Sequence, residues 1–322
     1  MVRNPAILWP LFGALWSDVG ADESFFSKRP LLAHYTTMGA LEKIVVNNEI
    51  WFSNPLFMND IEEVRFGINE GTNALLQSDT IRKATGDNYP AFETALLAEH
   101  SRFDGQHAFD TYILCLSEHD EADDDGLLSM WRGYGDGGKG IAVVFDARTI
   151  TEVKNTPLIV SRVVYATTQE RFDWFDRLAQ NFSQIVVQQN IQKEEMPVAA
   201  NALFARLRMF SLFTKHKGFS EEREWRLAYL PERDVEGRLR EHLSYFNGPR
   251  GVEPKLKLPI APMPEFGNNQ PFTLETIVHK LILGPTVSSV LSVESTKRML
   301  ETLKRPALAQ RVIASRIPYR AF

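Results

Sequence analysis

Between Thr37 and Asn48, Met38, Leu41, Ile44 and Val45 recur at the spacing of one helix face, and Asn47-Asn48 supplies a stop. The pattern predicts a helix there, which makes His34-Tyr35-Thr36 the end of a strand feeding it. Runs rich in Val, Ile and aromatics, bounded by Gly, Pro or polar clusters, predict strands at 112–117, 140–147, 158–166, 224–230, 276–283 and 311–317. These do not alternate regularly with helices. Residues 168–215 predict two helices broken near Pro197, striped by Phe172, Phe175, Leu178 and Phe182 and then by Leu203, Leu207 and Phe210. The class that follows is α+β, not doubly wound α/β. Residues 247–271, rich in Pro, Gly and Asn, predict a surface loop. With no internal repeat, the pattern predicts a single domain over 1–322 with a helical insertion at 168–215.

Composition narrows the function classes. At 44% hydrophobic the chain can fill a sizeable core, and its net charge of -5 provides no overall basic field for nucleic acid or an anionic membrane. A local basic cleft stays open. Cys115 is the single cysteine, which rules out an internal disulfide and suits a reducing cytoplasm. The apolar patch 7–16 is interrupted by Pro10 and is too short to span a bilayer, so it is expected to pack, with no targeting signal and no membrane partner. Seven histidines without paired helical spacing give no zinc pattern, and the acidic run 120–126 lacks the ligand spacing of a calcium loop. No metal is expected.

Four segments carry candidate chemistry. The glycine-rich stretch 133–140 could bring backbone N–H groups against an anion, but it precedes a strand where phosphate loops follow one, so the favoured reading is a flexible turn ahead of that strand. In a strand, Glu222, Glu224 and Arg226 would share one face, two carboxylates beside a guanidinium; a solvent-facing charged strand is the competing reading. Trp131, Arg132 and Tyr134 gather two rings and a guanidinium suited to a flat heteroaromatic, or else simply pack a helix end. His34, at a strand end, is either a ligand contact or a structural histidine.

In order along the chain, His34-Tyr35-Thr36, Ser53-Asn54-Pro55, Met58-Asn59-Asp60, Trp131-Arg132-Gly133-Tyr134-Gly135 and Glu222 to Arg226 resemble the blocks of a bacterial domain-of-unknown-function family. The resemblance spans most of the chain, through 281–285 to Pro318-Tyr319-Arg320. The order of parts is also similar to the ADP-ribosyltransferase superfamily, whose arginine-modifying branch Glu222-x-Glu224 resembles and whose histidine–tyrosine–glutamate branch His34 resembles. This implies a mixed, split β-sheet core and NAD as substrate. His34, Tyr35 and Thr36 would hold the ribose and adenosine side, Tyr134 or Trp131 would stack on nicotinamide, and Arg226 or Arg132 would meet phosphate. Glu224 would be catalytic and Glu222 would orient the acceptor. It implies cleavage of the nicotinamide–ribose bond and transfer to a protein or nucleic-acid acceptor, as in a defence or toxin component. Two other functions fit the same residues: a non-catalytic nucleotide- or protein-binding module, and a magnesium-dependent nucleic-acid-processing enzyme.

Overall fold

Thr37 starts the helix that the apolar spacing predicts. Its hydroxyl accepts from the Ala40 N–H at 3.1 Å, and Asn48, in the left-handed region at φ 56°, ends it. The computed structural model describes residues 2–19, 31–58, 61–149, 156–248, 251–263 and 272–319. In chain order its strands are β1 (Leu31–Thr36), β2 (Glu49–Ser53), β3 (Tyr112–Glu118), β4 (Ile141–Asp146), β5 (Leu158–Arg162) and β6 (Val164–Ala166). There follow β7 (Thr214–His216), β8 (Glu224–Tyr229), β9 (Leu243–Gly248), β10 (Gly251–Pro259), β11 (Val278–Leu283) and β12 (Val312–Ala314).

The chain divides into two compact units. One combines residues 1–21, 54–111 and 163–219 and is mainly helical: α1 (Ile61–Gln77), α2 (Tyr89–Arg102), α3 (Thr168–Gln188) and α4 (Met196–Phe213), with the parallel pair β6–β7. The helices expected at 168–215 are therefore half of a helical unit, not an insertion standing alone. Periodicity at 168–215 could not reveal that 61–102 packs with it. Gly71 allows close crossing, since a Cβ there would meet Leu207 Cδ1 at 2.4 Å. Leu8, Phe12 and Leu15 of the N-terminal apolar patch are buried in this unit. Asn54, fully buried, places its amide nitrogen 2.8–3.0 Å from the carbonyls of Ala108, Phe109 and Thr111, so the Ser-Asn-Pro block supplies a structural clasp.

The other unit, 22–53, 112–162 and 220–322, is built on a mostly antiparallel sheet in the order β12-β11-β4-β1-β3-β2-β10-β9, with β8 on β3 and β5 on β8. Only β11–β12 is parallel among its described pairs. The mixed α+β class holds. A correction falls on 247–271: Gly251–Pro259 is a strand paired with β2 and β9, because Leu256 and Leu258 alternate into the core beneath the Pro and Gly content. Residues 249–250 and 264–271, with Asn59, Asp60 and Arg320 of the sequence blocks, lie outside the described residues. Among the described residues no helix is long and apolar enough to cross a membrane.

Candidate functional site

Strand register sorts the candidate residues by face. Leu116 pairs with Trp225, and both belong to the core that also holds Leu32, Phe145 and Val143. One residue on, Ser117 pairs with Glu224 and Cys115 with Arg226, so these four project to the opposite face, shared with Ala33 and Tyr35. On that face Arg226 Nε and Nη2 donate to the two carboxylate oxygens of Glu224 at 2.7 and 3.0 Å. The pair is enclosed, with Arg226 0% and Glu224 3% exposed, so the competing reading of a solvent-facing charged strand gives way to a buried ion pair.

Glu222 reaches the same place by another route. It is not on the strand as expected: it ends a 3-10 turn, Lys217–Glu222, and Arg223 follows at φ 44°, a conformation that breaks the two-residue alternation. The Ser117 hydroxyl donates to the Glu222 carbonyl at 2.6 Å and fixes this corner against β3. From it the Glu222 side chain accepts a hydrogen bond from the Tyr134 hydroxyl at 3.1 Å. Tyr134 follows the short helix Leu128–Gly133, whose Trp131 packs beneath it.

His34 sits where the sheet opens. Strand β1 pairs with β3 only at Leu32–Glu118 and Ala33–Ser117, whereas β2 takes the same edge at Ile113. Between these two contacts the Cys115 carbonyl lies 3.0 Å from His34 Nδ1. A carbonyl only accepts, so Nδ1 carries the proton in the neutral ring and Nε2 presents a lone pair. Burial pushes His34 below its ordinary value, the Cys115 carbonyl raises it, and the Lys255 ammonium lowers it further. By backbone alternation His34 and Thr36 belong to the Leu32 face, not the Glu224 face, so the expected gathering of His34 with Glu224 is not seen.

Lys255 was not among the sequence candidates. It donates to Ser53 Oγ at 2.9 Å and pairs with Glu253 at 3.0 Å, all on β10 and β2 beside the opening. Lys255 and Glu253 are both buried. The signal was present in the two-residue alternation of Lys255-Leu256-Lys257-Leu258, which marks a strand inside a stretch whose Pro and Gly suggested a loop.

The structure does not bring the other candidates here. Tyr35 accepts from the Leu127 N–H at 3.0 Å and meets Trp131 edge-on at 4.8 Å; burial pushes its hydroxyl up to about 12. Trp131 is fully buried and donates to the Asp125 carbonyl at 2.8 Å, which leaves no ring face for nicotinamide. Arg132 is exposed and lies over the Tyr319 ring, lining a separate cavity with Arg316 that includes neither His34 nor Glu224. The glycine stretch packs as a turn: a Cβ on Gly140 would lie 2.1 Å from the Thr36 carbonyl oxygen. Among the described residues no group of three or more His, Cys, Asp or Glu could hold a metal ion.

One comparison bears on this arrangement. Residues 130–227 match the model of a family described as protein of unknown function, DUF2971. This agrees with the resemblance to a domain-of-unknown-function family. The DUF2971 stretch opens at Met130 and closes at Leu227, so it contains Tyr134, Glu222, Glu224 and Arg226, whereas His34 and Lys255 lie outside it. No curated protein and no solved structure matches the chain.

Proposed function

We propose that the chain is an ADP-ribosyltransferase-like enzyme that takes NAD as substrate, cleaves the nicotinamide–ribose bond and transfers ADP-ribose to a protein or nucleic-acid acceptor. Such chemistry suits a defence or toxin component. The observation that carries the reading is the hydrogen bond from Tyr134 to Glu222, 3.1 Å, beside the Glu224–Arg226 pair: an aromatic ring and a carboxylate are tied together at one corner. When the C–N bond breaks, its electron pair neutralises the pyridinium of the leaving nicotinamide, and positive charge develops on the ribose. A fixed carboxylate stabilises that charge directly, and the acceptor's proton then has a base to reach.

The roles differ from those the resemblance implies. Glu224 is held on both oxygens by Arg226, so we assign it to positioning, and Glu222 with Tyr134 to the reacting centre. His34 lies by backbone alternation on the Leu32 face, opposite Glu224, so this reading gives it no contact with the reacting ribose. The saturation of Glu224 also favours a second reading, a nucleotide-binding module without turnover. Incubating the protein with NAD and following free nicotinamide by chromatography separates the two. Release that disappears in Glu222→Gln supports the enzyme; binding of NAD without release supports the module.

A further inference from the structure

A second feature of the sheet-built unit lies apart from Glu224. Arg132, Ser288, Arg316 and Tyr319 line a cavity of about 630 Å³, within the range of small-molecule sites. Two of its parts are held in place. The Tyr319 ring rests on the glycine turn, where a Cβ on Gly138 would come within 3.1 Å of it, and the Arg132 guanidinium lies over that ring, 5.2 Å from its centre. The backbone N–H of Arg316 donates to the Asp125 carboxylate, which fixes the segment that presents its side chain.

Among the described residues neither guanidinium makes a salt bridge, although Arg316 attracts Asp124 at longer range. Asp124, which lines an adjoining cavity of about 400 Å³ with Arg316, is held by Lys280 at 2.7 Å. Arg132 and Arg316 line one concave space with two like charges, only partly offset by Asp124, and an anion entering it would be attracted by both. A carboxylate would bring one negative charge, whereas a phosphoryl group brings about -1.5 to -2 and more acceptor oxygens, matching two planar guanidinium forks.

We infer that this cavity is an oxyanion site for a small phosphoryl-bearing molecule, gripped by Arg132 and Arg316 with Tyr319 holding the first arginine flat. The site uses none of Tyr134, Glu222 or Glu224, and stands whether or not NAD is turned over. The test is calorimetric titration of the whole protein, at constant ionic strength, with inorganic phosphate, inorganic diphosphate and ADP. Binding of diphosphate or ADP is expected, weakened about tenfold or more by Arg132→Gln or Arg316→Gln, since each removes charge-assisted hydrogen bonds. Both residues are exposed, so melting temperatures should stay within a degree or two of wild type, by about the margin of surface substitutions. Glu222→Gln should leave the affinity unchanged, which separates this site from the proposed reaction. Tighter binding of ADP than of diphosphate assigns a nucleotide, and equal binding assigns the free oxyanion. No heat with any of the three ligands, or an affinity that the double arginine variant leaves intact, overturns the inference.

Discussion

Arg226 grips both carboxylate oxygens of Glu224, at 2.7 and 3.0 Å, two residues apart on one strand and with almost no solvent contact. Removing one member takes from the other, still buried, its two charge-assisted hydrogen bonds, and breaking a buried pair in this way costs about 3–5 kcal/mol. Glu224→Gln should therefore destabilise strongly, as should Arg226→Met. The double variant should recover part of the loss, because neither charge of the pair is then buried without the other. Denaturant unfolding of the four proteins gives the coupling; additive single effects would mean that the pair does not act as a unit.

The glycine stretch 133–140 makes unequal demands along its length. A Cβ at Gly140 would lie 2.1 Å from the Thr36 carbonyl oxygen and 3.0 Å from Gly135, both backbone that cannot swing away. Gly140→Ala should cost about 1–3 kcal/mol or more through overpacking. Gly133 faces open space at the end of its helix, so Gly133→Ala should be neutral or stabilise by up to about 1 kcal/mol. Thermal melts of the two variants check this, and equal losses would contradict it.

Much of the sheet was legible because its central strands are continuous runs of Val, Ile, Leu and aromatics, buried on both faces, and the helix after Thr37 because its caps and stripe agree. The site was less so. Spacing of two residues put Glu222, Glu224 and Arg226 on one face only by assuming a strand throughout, and the left-handed Arg223 breaks that assumption while hydrogen bonds still return Glu222 to the same corner. Burial of Trp131 and the turn of His34 into the sheet opening depend on contacts between residues some 80–100 positions apart, which local patterns do not encode. The strand at 251–259 was readable from its alternation, but the flanking Pro and Gly outweighed it.

Burial and Lys255 depress the pKa of His34 below its ordinary 6.5, and burial likewise depresses that of His119, where Asp123 opposes it and Lys280 and His279 add to it. Below pH 6.5 the unfolded chain takes up protons that the folded chain refuses, so stability should fall as pH drops from about 6.5 toward the lowered folded values and level off above. Each histidine contributes at most about 1.4 kcal/mol per pH unit. His34→Gln retains a donor for the Cys115 carbonyl and removes one titrating group. Unfolding free energies between pH 5 and 8 should show a shallower slope for the variant, and an unchanged slope would show that His34 is protonated in the folded state.

The last prediction concerns turnover. If Glu222 stabilises the positive charge developing on ribose, Glu222→Gln keeps shape and an acceptor but loses the charge, and nicotinamide release should fall about 100- to 1000-fold, or roughly 3–4 kcal/mol. Tyr134→Phe removes only the hydroxyl that holds the carboxylate at 3.1 Å, so it should cost about tenfold in kcat with little change in the Kd for NAD. Gln preserves an acceptor for the Tyr134 hydroxyl, whereas Tyr134→Phe takes one donor from the buried Glu222 carboxylate, so the melting temperature of each variant is read beside its turnover. That sets them apart from Glu224→Gln, whose loss of activity would follow its loss of stability and could not be read as chemistry. Measuring NAD affinity, nicotinamide release and melting temperature on Glu222→Gln and Tyr134→Phe together decides the matter: turnover unchanged in Glu222→Gln, with the fold intact, removes this carboxylate from the reaction.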